Sequence, residues 1–117
     1  MIEVDRDHFE QLVAYAMETI PPQLSKEIQN VAILIEDNPP DGQPNLLGLY
    51  QGIPLTQKQT TSWGGALPDT ITIYRNSILR ICNSYEEVVR QVRVTVVHEV
   101  GHYFGISESR LHELGYG

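Results

Sequence analysis

His98-Glu99-Val100-Gly101-His102 puts two imidazoles four residues apart, with a carboxylate beside the first. On an α-helix, positions i and i+4 lie one turn apart, roughly 6 Å along the axis. Two imidazole nitrogens can then converge on one ion at about 2.0–2.1 Å each. On a strand the same residues would stand about 13 Å apart and could share nothing. A chain with this content of His and Glu produces the pattern by chance only about 1% of the time. Zinc held by such a pair lowers the pKa of a bound water from about 15.7 to about 7. Glu99 lies beside the histidines, not between them, within reach of that water. It can take the proton and pass it to a leaving amine.

A catalytic zinc needs three protein ligands and one open position. Gly105 tolerates positive φ and lets the chain reverse just past the helix, and Glu108 follows three residues later. Glu108 is the favoured third ligand. His112 and Glu113 compete for the role, on a short final helix that Ser107 can cap.

The two imidazoles are useful only if their segment is helical, and this has to be argued. Val92-Arg93-Val94-Thr95-Val96 alternates like a strand, and its valines favour β structure. Against this, Ser84-Tyr85-Glu86-Glu87 is a capping box, and the run to Phe104 is too long for a typical strand. At about 100° per residue, Tyr85, Val89, Val92, Val96, Val97, Val100, Tyr103 and Phe104 share an arc of about 140°. The spacing predicts that this arc packs, while Gln91, Thr95, His98 and His102 face a cleft. Arg93 falls inside the apolar arc, against the pattern.

The remaining segments supply a frame. Phe9, Leu12, Val13, Ala16, Met17 and Ile20 predict a one-sided helix over 9–20, capped by Asp5 or Asp7 and ended by Pro21-Pro22. A short helical turn is expected over 25–29. Strands are expected over 30–36, 46–50 and 70–74, and a short helix over 76–81. Residues 37–45 are rich in Pro and Gly and read as a loop. The polar, Gly-rich stretch 56–69 reads as a long loop, either a plain surface loop or a border to substrate.

With 117 residues the chain is one domain's worth. Its formal charge of -7 argues against a general nucleic-acid binder, although Arg75, Arg80, Arg90 and Arg93 fall in one stretch. The single cysteine, Cys82, excludes an internal disulfide and a cysteine zinc cluster. MIEVDRDHFE lacks the features of a signal peptide, and the longest apolar run, Val31 to Ile35, is too short to span a membrane. The expectation is a soluble, monomeric, cytoplasmic protein without membrane or nucleic-acid partners.

The segment 98–108, HEVGHYFGISE, resembles the extended zinc motif of zincin metallopeptidases. More closely, the chain resembles a small bacterial zincin-like family described as minimal metalloproteases. Leu47-Gly48-Leu49-Tyr50-Gln51-Gly52-Ile53-Pro54-Leu55-Thr56 is similar to that family's strand-and-turn segment, and Thr70-Ile71-Thr72-Ile73-Tyr74-Arg75 to its later strand. The resemblance implies an α+β minimal zincin fold. Its mixed sheet of three to four strands is backed by helices, with the metal helix near the C-terminus and below an edge strand. It implies Zn2+ as cofactor, His98 and His102 as ligands and Glu99 as general base. Glu108 stands where that family usually has Asp and where metzincins have His. The implied activity is hydrolysis of an extended peptide or protein segment laid along the edge strand. Tyr74, Arg110, His112 and Tyr116 are candidates to stabilise the oxyanion. Two histidines and one carboxylate also describe a non-haem iron oxygenase site or another metal-dependent hydrolase, including a ribonuclease. A non-catalytic module that binds metal or peptide is the remaining alternative.

Overall fold

A computed structural model describes residues 2–53 and 68–115. Most of the 56–69 stretch, and Tyr116, lie outside the described residues. The elements run α1 (Arg6–Glu18), α2 (Pro22–Ser25), β1 (Val31–Glu36), β2 (Gly48–Gln51), β3 (Asp69–Tyr74), α3 (Arg75–Ile81), α4 (Tyr85–Tyr103) and α5 (Glu108–Glu113). This is the α+β class, with a mixed sheet of three strands in the order β1-β3-β2. The central β3 runs parallel to β1 and antiparallel to β2.

Alternation along β3 sends Asp69, Ile71 and Ile73 to one face of the sheet. Ile71 and Ile73 join Phe9, Val13 and Ala16 of α1 and Val88, Val92, Val96 and Val100 of α4 in one buried core. Gly48 and Tyr50 of β2 stand opposite Ile73 and Ile71 and so share that face. The metal-motif helix therefore lies across the sheet on the side that β2 borders.

Asp5, not Asp7, caps α1: its Oδ1 accepts from the His8 amide at 2.8 Å, and the helix begins three residues earlier than the apolar pattern does. Pro22 starts α2 instead of only ending α1, so the helical turn sits before the expected 25–29. Proline suits a first helical position because its missing N–H would lack an intrahelical partner there. At the start of α4, Ser84 Oγ accepts from the Glu87 amide at 3.1 Å. Glu87 reaches back to the Asn83 amide at 2.7 Å, one residue beyond the usual partner.

The buried strip of α4 differs from the expected arc. Val88, Val92, Val96, Val100 and Tyr103 are buried, but so are Thr95, expected on the cleft side, and Glu99, expected beside the histidines. Tyr85 is exposed, and its hydroxyl meets His8 Nε2 at 2.7 Å. Arg93 is exposed because it sits just outside the rotated strip. The four arginines of one stretch do not form one patch. Arg75 bonds Asp37 Oδ1 at 3.0 Å and the Val4 carbonyl at 2.7 Å, joining the N-terminal segment to the turn after β1. Arg80 donates to the Pro44 carbonyl at 3.4 Å. No helix among the described residues is long and apolar enough to cross a membrane.

The Ser77 hydroxyl on α3 is buried without a hydrogen-bond partner among the described residues. A buried unpaired hydroxyl costs stability, whereas a helix cap contributes it. Urea unfolding should therefore show Ser84→Ala losing about 1 kcal/mol, and Ser77→Ala losing none.

Candidate metal centre

The i→i−4 ladder of α4 carries His98 and His102 on one side, one turn apart. Their ring centroids lie 4.8 Å apart and their planes are nearly perpendicular. The two Nε2 atoms approach to 3.1 Å. Glu108 Oε1 completes a triangle, at 3.1 Å from His98 Nε2 and 2.8 Å from His102 Nε2.

Glu108 reaches this point through a specific reversal of the chain. Past the end of α4, the Gly105 amide bonds the His102 carbonyl at 3.0 Å, and the Ile106 amide bonds the Gly101 carbonyl at 2.9 Å. Gly105 sits at φ 81°, the left-handed conformation this pair of bonds requires. Ser107 then caps α5 by accepting from the Arg110 amide at 3.2 Å, and Glu108 opens that helix. Leu111 anchors the turn: it is buried against Gly101, where a Cβ would come within 2.5 Å of its side chain. The glycine inside the histidine motif thus makes room for the helix that brings the third donor.

Two neutral imidazoles supply at most two protons to this triangle, so the three contacts cannot all be hydrogen bonds at once. One cation satisfies all three. Ligands at about 2.0–2.1 Å around a tetrahedral ion would be roughly 3.3–3.4 Å from one another. The contacts seen are a few tenths of an ångström shorter, so a small spread of the same side chains admits an ion. Two imidazole nitrogens and one carboxylate oxygen fit zinc. Among the described residues this is the one His/Cys/Asp/Glu group placed to hold a metal. His112 is exposed and Glu113 pairs with Arg110 at 3.1 Å; neither joins the cluster. Burial alone would raise the Glu108 carboxyl, but the hydrogen bonds and charge of His98 and His102 bring it below the ordinary glutamate range.

Glu99 differs from Glu108 in its surroundings. It is 7% exposed, with its Cγ against Gly48, where an added Cβ would lie 3.2 Å from it. The Tyr50 backbone N–H faces its carboxylate. The register explains why that N–H is available. The Tyr74 amide bonds the Leu47 carbonyl, so Leu49 and Gln51 are the β2 residues that bond β3. The N–H and C=O groups of Gly48 and Tyr50 point away from β3, to an edge that is open among the described residues. Burial, the largest cause, pushes the Glu99 carboxyl up and the charge of Glu108 adds to this; His98, His102 and the Tyr50 amide oppose them.

The phenol of Tyr50 donates to Asp69 Oδ2 at 2.6 Å, and its ring meets Tyr103 edge-on. Burial and Asp69 both push this phenol's pKa up. Tyr50 and Asp69 are absent from the sequence reading of the site; the one local hint is the pair of glycines, Gly48 and Gly52, around a very short strand. Of the oxyanion candidates, Tyr74 is buried, and its pKa is raised by burial first, then by Glu36 and Glu99. Arg110 is committed to Glu113 on the exposed side of α5.

The zincin-like metallopeptidase family model matches residues 28–117, and the chain belongs to that family. Among solved structures, the chain is similar to a conserved hypothetical protein from Thermus thermophilus. The TM-score is 0.60 and the identity 25%, covering 86% of this chain and 94% of that one. No curated protein matches the chain.

Two outcomes follow. Gly101→Ala should push Leu111 and α5 outward, weakening zinc binding by about 10-fold or more in a chelator competition. Its stability should change less, because alanine gains helix propensity as packing is lost. The second concerns pH. A carboxyl whose pKa is higher in the folded than in the unfolded state favours folding at low pH, and that advantage is lost as pH rises through the folded value. Metal-free Glu99→Gln should therefore be more stable than wild type at about pH 7–8, with the gap closing below the ordinary glutamate range near pH 4. Denaturant titrations at several pH values measure this.

Proposed function

We propose that the protein is a zinc-dependent metallopeptidase in which His98, His102 and Glu108 hold the ion and Glu99 is the general base. The observation that carries this is the meeting of three donor atoms beside a buried carboxylate. Bound zinc would supply an acidified water and polarise the scissile carbonyl. Glu99, turned toward the site by the Tyr50 amide, accepts the water proton and delivers it to the leaving amine. Burial raises its pKa, which makes it a better proton acceptor than an exposed glutamate. The open edge of β2 offers the Gly48 N–H and C=O and the Tyr50 C=O to an extended peptide or protein segment. The protein would act as a cytoplasmic monomer.

A non-haem iron oxygenase would use the same three ligands but leave Glu99 idle. The burial of Glu99 against β2 favours the hydrolytic reading. Metal analysis of protein purified without added metal separates the two, zinc supporting hydrolysis and stoichiometric iron opposing it. In a broad peptide library, new termini should form with the zinc-loaded protein and stop with chelator. A non-catalytic binder would form none. Glu99→Gln should retain zinc and lose turnover by about 100-fold or more; a zinc-loaded Glu99→Gln that still cleaves would end this reading.

A further inference from the structure

Glu99 is a long side chain that packs on a four-residue edge strand: a Cβ at Gly48 would lie 3.2 Å from its Cγ, and the Tyr50 N–H points away from β3 on the same strand. Among the described residues this strand is paired on one side only, and such a strand frays unless something else fixes it. Asp69, the first residue of β3, is 3% exposed and faces the same side of the sheet as Tyr50. Its Oδ2 accepts from the Tyr50 hydroxyl at 2.6 Å. Where β2 ends, Gly52 passes directly over the same carboxylate; a Cβ there would fall 2.4 Å from Asp69 Cγ. The tyrosine ring is also braced by Tyr103, whose hydroxyl meets the Gln29 amide and the Glu27 carbonyl.

We propose that Asp69 is a positioning residue, which through the Tyr50 hydroxyl fixes the strand whose outward amide aims Glu99. Asp69 is not one of the three donor residues. It acts by holding Tyr50 in place across the sheet, so that the Tyr50 N–H stays directed at the carboxylate. This role rests on Glu99 being the general base.

The test uses Tyr50→Phe, which keeps the ring, and Asp69→Asn, which keeps the side-chain shape, both in the full chain. Amide hydrogen exchange by NMR on the metal-free protein reads the strand directly. The Tyr50 amide should lose about 10-fold or more of its protection while the amides of β1 keep theirs. Zinc affinity by chelator competition should stay within about 2-fold, because the ligands are untouched. On a peptide taken from the library, kcat should fall about 10-fold with KM nearly unchanged, the mark of an interaction made in the transition state. Unchanged Tyr50 protection in both variants overturns the proposal. So does loss spread equally over β1 in both variants, which is a merely structural role, or lost protection with kcat intact. If wild-type protein binds zinc and cleaves nothing, the peptidase reading fails by itself, and the exchange data still decide whether Asp69 holds the strand.

Discussion

The site depends on two successive backbone constraints acting on one short length of chain. One turn of hydrogen-bonded helix fixes the separation of His98 and His102, so their nitrogens meet without any long-range help. The glycine-mediated reversal at Gly105 then returns the chain along the surface it has just left. Each constraint is local, and together they gather all three donors from eleven consecutive residues. The rest of the fold has less to do with assembling the triangle than with placing Glu99 and an open strand edge beside it.

That second task is distributed. Gly48 lets α4 approach β2 closely enough for Glu99 to pack against the strand. The tight fit also removes Glu99 from water, which sets its proton affinity. Space and charge are therefore linked: the missing side chain at 48 brings the carboxylate near the edge and makes its ionised form harder to sustain. Glu108, with its side chain 72% exposed, lies at the opposite extreme and is kept ionised by its imidazole partners. Two carboxylates nine residues apart thus differ in proton affinity because one is enclosed and the other is not.

Features encoded by neighbouring residues were legible in the sequence. Ser84 and Glu87 marked the start of the long helix, Gly105 its end and Ser107 the start of the last helix, and each cap forms. The three strands were visible as short β-branched or alternating runs, displaced by a residue or two at their ends. The side to which Glu99 turns was not legible. A helical wheel drawn from the histidines assigns Thr95 to the cleft and leaves Glu99 beside the histidines, yet both are buried because a glycine on a distant strand accommodates them. The same holds for Tyr50 and Asp69, which lie nineteen residues apart and meet only through the pairing of β2 with β3. Gly101 was readable as part of a motif, but its use as a seat for Leu111 requires knowing where α5 packs.

Leu111 also bears on how quickly an ion could be exchanged. Two donors belong to a nineteen-residue helix embedded in the core, while the third opens a six-residue helix with one buried side chain. Such a short element opens at lower cost than the core does. Lifting it removes one donor and leaves the other two waiting in position. The lifetime of a captured ion would then be set by the undocking of this small helix, and loosening its single leucine contact would speed release and weaken capture together.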